Sequence, residues 1–152
     1  DNLRVSDLPE AEIELVYRKW GKVPIFGSPV SLRGVKKQAR ITNTTFLGTS
    51  FTQHGGGLTI NQCNDLILEN CVFERCSAQN NGGAVYLTEV KNTLISNTVF
   101  LHNLVIVGNG GAAYSHCRRT QCEMSHSQDN TLTRPLKYVK NKASESGGAI
   151  FL

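Results

Sequence analysis

The sequence has few aromatic residues and few prolines. Aromatic side chains make up 7% of the 152 residues, and proline occurs 4 times. A core with so few large rings must be filled mainly by aliphatic side chains, and the scarcity of proline argues against a proline-rich linker or a disordered tail. No apolar run reaches the roughly 18 residues that indicate a membrane-spanning helix.

Acidic residues are also scarce. The chain has 12 Asp and Glu against 16 Lys and Arg, which gives a net charge of +4. The basic residues cluster near the start of the chain without interleaved aromatics or a recognition-helix pattern. We therefore interpret this cluster as a solvated face and expect no nucleic-acid partner.

The cysteine pattern leaves two interpretations open. There are five cysteines, so at least one thiol is unpaired, and no two of them have the spacing of a zinc knuckle. Cys71 and Cys76 are five residues apart, as are Cys117 and Cys122. Either pair could form a local disulfide, but we favour buried thiols, because cysteine packs well as a small hydrophobe.

The sequence repeats itself roughly every 27 residues. Four segments begin with paired glycines, whose first members are Gly55, Gly82, Gly110 and Gly147. An aromatic residue lies nine or ten positions before each pair, at Phe46, Phe73, Phe100 and Tyr138. The glycine pairs are spaced by 27, 28 and 37 residues and the aromatics by 27, 27 and 38. Two independent markers therefore keep one period, and both lengthen at the last step.

The content of each repeat predicts short strands. Apolar runs of three to five residues alternate with Gly or Asn, which is typical of strands joined by tight turns. A helical repeat would need longer apolar runs, and a leucine-rich repeat would need several Leu at fixed offsets. We predict an all-β, right-handed parallel β-helix of about four turns, with equivalent side chains stacked roughly 4.8 Å apart. The aromatics would form an internal column. The paired glycines would form a corner with positive φ and a close backbone approach.

Asparagines mark a second position of the repeat. Asn43, Asn70 and Asn97 each lie three residues before an aromatic. We expect them at left-handed corners, with their amides in an internal ladder. Asn43-Thr44-Thr45 fits a glycosylation sequon, but an internal Asn43 would be inaccessible. The fourth unit has Pro135 at this position and a polar insertion at about 116–135, which we expect to bulge out as a loop.

We divide the chain into a cap and connector, residues 1–30, and β-helix repeats, residues 31–152. The cap pattern favours a helix that starts at Ser6 or Asp7. Its apolar face would contain Ile13, Val16, Tyr17 and Trp20. The alternative is a strand with alternating Ile13, Leu15 and Tyr17. Either segment would cover the open end of the coil. Because Ala149 to Leu152 read as part of an apolar strand, we expect a longer parent chain.

Few residues suggest chemistry. Asp65 and Glu69 are the best candidate pair for glycoside hydrolysis, but no acidic cluster repeats in register, so we expect no enzymatic activity. A loosely spaced soft-metal motif is formed by His116, Cys117, Cys122 and His126. We interpret it as a polar loop and expect neither metal nor cofactor.

The repeat motifs resemble those of the polymorphic outer-membrane proteins of chlamydiae, and similar repeats in some protist surface proteins. The motif Gly-Gly-Ala-aliphatic is matched by Gly82-Gly83-Ala84-Val85 and by Gly147-Gly148-Ala149-Ile150. The motif Phe-x-x-Asn is matched by Phe100-Leu101-His102-Asn103. Phe73-Glu74-Arg75-Cys76 and Phe46-Leu47-Gly48-Thr49 lack the Asn, and Tyr138 replaces the Phe ahead of Asn141.

This resemblance implies the passenger segment of an autotransporter, exported to the cell surface or outer membrane and anchored there by a separate C-terminal domain. It implies an adhesin that attaches to a host-cell protein or glycan receptor, with self-association also open. The adhesion positions by resemblance are Phe100, Asn103, Gly82, Gly83, Ala84, Val85, Gly147, Gly148, Ala149 and Ile150. Physically, we expect the glycines and the Phe to keep the coil folded, while outward side chains and the insertion make the contacts. The alternative is a carbohydrate-active β-helix enzyme, a polysaccharide lyase or hydrolase.

Overall fold

The computed structural model describes residues 4–6, 13–16, 24–25, 30–51, 53–117, 123–127 and 137–152, and within these ranges all regular secondary structure is β. The strands in chain order are β1 Arg4–Ser6, β2 Ile13–Val16, β3 Pro24–Ile25, β4 Val30–Thr42, β5 Thr45–Leu47, β6 Ser50–Phe51, β7 Leu58–Glu69, β8 Val72–Glu74, β9 Ser77–Ala78, β10 Val85–Ser96, β11 Val99–Leu101, β12 Leu104–Val105, β13 Ala113–His116, β14 Glu123–Ser127, β15 Lys137–Val139 and β16 Ile150–Phe151. No helix in these ranges is long and apolar enough to cross a membrane.

The described strands form three parallel sheets around one axis. The first has the order β1-β4-β7-β10-β13-β16, with β2 also beside β4 and β14 also beside β10. The second has the order β15-β11-β8-β5-β3, and the third β12-β9-β6. Partners in successive long strands, such as Leu58 and Val85, are 27 or 28 residues apart. The predicted parallel solenoid is therefore confirmed, with about three full turns that start at β4, β7 and β10 and partial turns on either side.

An aromatic column runs through the core. Phe46, Phe73 and Phe100 are fully buried, and their rings stack on one another and on Tyr138 with centroids 4.5, 5.0 and 4.8 Å apart. The ring planes differ by at most 5°. This spacing follows the distance between neighbouring strands, about 4.8 Å. The predicted internal column is confirmed.

The paired glycines form the corner that leads into each long strand. Gly82 has a φ of +65°, a left-handed conformation that glycine adopts without a steric penalty. Gly83 packs against the next coil so closely that an added Cβ would lie 2.2 Å from the carbonyl oxygen of Gly111. The first glycine of the pair thus permits the turn, and the second permits the close stacking of coils, as predicted.

The asparagine corners are left-handed as predicted, with φ of 53° at Asn43, 54° at Asn70 and 47° at Asn97. The internal position expected for Asn43 is wrong, however, because its side chain is exposed. Asn70 is half-buried and Asn97 is buried, so the expected internal position is right for Asn97. At the first corner the next residue, Thr44, is the one that is buried. The asparagine of the Asn43-Thr44-Thr45 sequon therefore lies on the surface.

The first described residues extend the ladder of the first sheet. Strand β2 pairs in parallel with β4, from Ile13 beside Ala39 to Val16 beside Thr42. The predicted helix is wrong for residues 13–16, and the strand alternative is right. The edge of β4 presents backbone N–H and C=O groups. A neighbouring strand forms hydrogen bonds with these groups, whereas a helix would leave them unpaired. Tyr17 and Trp20 lie outside the described residues, and the division at residue 30 stays a prediction.

The extra residues of the last unit are divided between two places. Residues 123–127 form β14, which pairs with the second half of β10, from Asn92 beside Glu123 to Ser96 beside Ser127. The predicted single bulging loop is therefore wrong for residues 123–127, because β14 continues the parallel sheet beyond β10. Between His116 and Glu123 there are six residues, whereas the equivalent stretch of the coil before, between Thr88 and Asn92, has three. Between Ser127 and Lys137 there are nine residues, whereas the equivalent stretch between Ser96 and Val99 has two. The insertion is therefore split between the two sides of β14.

Candidate functional site

The structure places the central adhesion-motif positions inside the coil. Phe100 is 0% exposed and Asn103 is 1% exposed. The residues of the first glycine motif, Gly82, Gly83, Ala84 and Val85, are also buried. The second glycine motif lies at the last described coil and is more open: Gly147, Ala149 and Ile150 are half-buried, and Gly148 is exposed. The buried positions do not reach a receptor surface in the folded chain, and any adhesive role they have would act through the fold.

The asparagine of the Phe-x-x-Asn motif connects three coils. Asn103 Nδ2 donates to the carbonyl oxygen of Phe73 at 3.0 Å and to Asn141 Oδ1 at 2.9 Å. Its Oδ1 accepts from the backbone N–H of Cys76 at 3.0 Å. One coil further on, Asn141 Nδ2 donates to the carbonyl oxygen of Phe100 at 3.1 Å. The asparagine of the motif therefore supplies hydrogen bonds to buried backbone N–H and C=O groups at the corners of neighbouring coils.

The departures from the motif keep the same place in the coil. Cys76 and Thr49 stand where Asn103 stands in its coil, and Thr49 Oγ1 lies 3.1 Å from Cys76 Sγ. Cys76 Sγ in turn lies 3.6 Å from the carbonyl oxygen of Phe46. We name this series the inner polar column: Thr49, Cys76 and Asn103, which are buried, and Asn141, which is half-buried. It is the internal ladder that sequence reasoning assigned to Asn43, Asn70 and Asn97. The sequence signal for this column is its constant spacing, since each member stands three residues after an aromatic of the core.

A groove lies on the outer face of the first sheet. It has a volume of about 440 Å³ and is lined by Gln53, His54, Thr59, Asn61, Tyr86, Thr88, Glu89 and His116. The sheet register builds it, because Thr59 lies beside Tyr86 and Tyr86 beside Tyr114, while Thr88 lies beside both Asn61 and His116. Outward positions of three successive coils therefore form one surface.

The rings of His54, Tyr86 and His116 line this groove, and Tyr114 stacks on Tyr86 beside it. We name His54, Tyr86, Tyr114 and His116 the His–Tyr row. The centroids of His54 and Tyr86 are 4.3 Å apart, those of Tyr86 and Tyr114 5.2 Å, and those of Tyr114 and His116 6.4 Å with a 35° tilt. Burial lowers the pKa of His54, so its imidazole is neutral at pH 7. Sequence reasoning missed the row, although Tyr86 and Tyr114 each stand three residues after the second glycine of a pair.

A family model described as a right-handed β-helix region matches residues 29–145. The chain belongs to the right-handed β-helix family. No curated protein and no solved structure matches it. Membership of this family establishes the coil and leaves the activity to the surface groups, since one fold carries many functions.

Within this β-helix the thiols are of two kinds. Cys63, Cys71 and Cys76 are free and buried, which confirms the buried interpretation for Cys71 and Cys76. Cys117 is disulfide-bonded, so the buried-thiol interpretation is wrong for Cys117, and Cys122 lies outside the described residues. A disulfide removes Cys117 from the metal motif that it would share with His116, since the thiolate is the metal ligand. In the described part of the chain, no three His, Cys, Asp or Glu side chains are grouped to hold a metal ion.

The buried thiols predict a stability that falls in alkali. Burial raises the pKa of Cys63 and of Cys76 to about 11 and that of Cys71 to about 12, above an ordinary value of 9.0. Above pH 9.0 the unfolded chain releases these protons while the β-helix retains them, so each thiol lowers the free energy of unfolding by up to about 1.4 kcal/mol per pH unit. Urea unfolding midpoints are expected to fall steadily from pH 9 to 10.5.

A matched variant separates the thiols from other alkaline groups. Tyr138, whose pKa burial also raises, and the lysines are the same in the wild type and in Cys71→Val. The variant should therefore show a shallower decline over the same pH range. Equal slopes in the two proteins would contradict a buried, protonated Cys71.

The carboxylates proposed for hydrolysis are held apart. Asp65 Oδ1 accepts from Asn92 Nδ2 at 2.8 Å, and Glu69 Oε2 pairs with Arg40 at 2.7 Å. Both lie on β7 with three residues between them, which separates their Cα atoms by roughly 13 Å in an extended strand. Glycosidases place their two carboxyl groups about 5–9.5 Å apart. The partners of this pair lie on opposite neighbouring strands, Asn92 on β10 and Arg40 on β4, so the two carboxylates are held towards different coils.

Proposed function

We propose that this β-helix is part of a surface-exposed passenger of the autotransporter type, similar to the chlamydial polymorphic outer-membrane proteins, and that it acts as an adhesin for a host-cell receptor. The proposal includes a location at the cell surface or outer membrane. The observation that carries it is the His–Tyr row and its groove, a continuous surface of aromatic and polar side chains across three coils. Stacked repeats commonly use such extended faces for binding.

The division between inner and outer positions supports this proposal. The motif residues that resemble the chlamydial family, Phe100 and Asn103 among them, are interior and maintain the coil. The outward positions of the same coils are then unconstrained by folding and available for recognition. Tyr and His combine apolar area with polar groups, a combination that is common in binding surfaces.

The alternative is a carbohydrate-active enzyme, and Glu89 is the observation that favours it. Glu89 lies in the same groove as His116, and a carboxylate or an imidazole can act as a general acid or base. We propose a binding function instead, because hydrolysis requires a second carboxylate across the cleft, and the described lining of the groove contains one.

Attachment can be tested with beads coated with the chain. Coated beads are expected to bind cultured epithelial cells saturably, and excess soluble chain should displace them. Beads coated with the heat-denatured chain are the control. Binding no stronger than that control would refute the adhesin proposal. New reducing ends or unsaturated sugars, released from a panel of polysaccharides, would support the enzymatic alternative.

A further inference from the structure

We propose that the groove beside the His–Tyr row binds an uncharged segment of a glycan. This inference rests on the proposed adhesin function and names the chemical class of its receptor. It assigns recognition to outward residues, with Asn61, Tyr86 and Thr88 at the centre, and not to the buried motif residues.

The hydrogen-bonding groups of the groove match sugar hydroxyls. The amides of Gln53 and Asn61 offer both donors and acceptors, as do the hydroxyls of the lining threonines. A sugar hydroxyl is also both donor and acceptor, so it can pair with any of these groups. A long apolar peptide would leave them unpaired, which costs about 1–3 kcal/mol for each group.

The described lining of the groove favours an uncharged ligand. Among its described lining residues Glu89 is the one carboxylate, and there is no lysine or arginine. Sulfate, phosphate and carboxylate groups are usually held by such cations. The described lining therefore supplies no cation that would hold a sulfated glycan or a phosphopeptide.

The rings supply a pre-formed apolar wall. Tyr86 is stacked on both sides, 4.3 Å from His54 and 5.2 Å from Tyr114. Its orientation is therefore set before any ligand arrives, which reduces the entropy cost of binding. Sugars carry C–H groups as well as hydroxyls, and the ring edges lie beside the amide and hydroxyl groups that would hold those hydroxyls.

Thr88 provides an independent indication. Its Oγ1 is buried and has no hydrogen-bond partner among the described residues, although Thr88 lines the groove. We expect one of the other staggered χ1 positions to turn the hydroxyl towards the groove. A ligand hydroxyl there would supply the missing hydrogen bond. The volume of about 440 Å³ lies within the range of small-ligand sites and suits a short oligosaccharide.

The test uses the intact chain on an array of neutral, sialylated and sulfated glycans, followed by titration of the best glycan. Thr88→Val and Asn61→Ala are expected to weaken binding at least tenfold. Thr88→Val should leave the unfolding midpoint unchanged or higher, because it removes an unpaired hydroxyl. Arg75→Ala, at an exposed position outside this sheet, is the matched control and should bind normally. Unchanged affinity in both groove variants, or binding confined to anionic glycans, would overturn the inference.

Cells distinguish this inference from the proposed function. If coated beads lose attachment after glycosidase treatment of the cells, both stand. If beads attach equally to deglycosylated cells and the array is blank, the glycan inference fails and the adhesin proposal survives. If the array is positive but beads do not attach to any cell, the adhesin proposal fails and the groove remains a glycan site.

Discussion

Replacement of Gly83 by alanine is expected to lower the free energy of unfolding by about 3 kcal/mol. The new Cβ would lie 2.2 Å from the carbonyl oxygen of Gly111 and 2.8 Å from that of Leu104, and both are backbone atoms of the next coil. The coils cannot separate without weakening the ladder, in which the Gly83 N–H donates to the Gly110 carbonyl at 3.0 Å. Urea denaturation followed by circular dichroism measures the loss.

Two other glycines serve as controls. Gly148 occupies the same motif position, but the nearest atom to an added Cβ is 3.6 Å away, so Gly148→Ala should change stability by no more than about 0.5 kcal/mol. Gly48 has a φ of +62° and open space around it, so Gly48→Ala should cost about 1–2 kcal/mol from backbone strain alone. A loss at Gly83 no larger than at Gly48 would show that close coil stacking is not the reason for the second glycine.

Asn103→Asp is expected to cost about 3–5 kcal/mol at pH 7, because it buries an uncompensated charge. The aspartate would face the Phe73 carbonyl oxygen and Asn141 Oδ1, to which Asn103 now donates. Burial among acceptors would raise the pKa of the new carboxyl above about 3.9, its unfolded value. Its destabilising effect is therefore absent below that value and grows as pH rises through it, so the variant should approach wild-type stability near pH 4.

Asn103→Thr is the matched comparison for the inner polar column. Thr49 occupies the equivalent position two coils earlier and is fully buried, so the coil has room for a hydroxyl there. This variant should lose about 1–3 kcal/mol through unsatisfied corner groups, and the loss should not depend on pH between 4 and 7. A pH-independent loss in Asn103→Asp as well would contradict the burial of its carboxylate.

These two predictions bear on how adhesion motifs should be interpreted. Gly83 and Asn103 belong to the motifs that resemble chlamydial adhesins, yet each supports the contact between coils. Variants at these positions should lose binding together with their folded structure, whereas Thr88→Val and Asn61→Ala should lose binding alone. Parallel measurement of unfolding and attachment separates the two classes.

Much of the fold was accessible from the sequence because the repeat is regular. The spacing of Phe46, Phe73 and Phe100 predicted their column, and the paired glycines predicted the corners. The errors lie where the structure depends on the direction of a side chain or on a partner that is distant in the sequence. Asn43 is exposed while its neighbour Thr44 is buried, and residues 13–16 are extended because β4 offers an edge to pair with.

The sequence alone determined which residues stack on which, since a coil of constant period places equivalent positions about 4.8 Å apart whatever its detailed shape. The groove was decided only by the tertiary structure. His54 precedes a glycine corner, whereas Tyr86 follows the next one along the chain, and no common spacing links them. Their rings meet because His54 lies at the corner before Thr59, and the sheet register places Thr59 beside Tyr86. The repeat period gives the register between coils, but it does not give the path of the backbone around a corner.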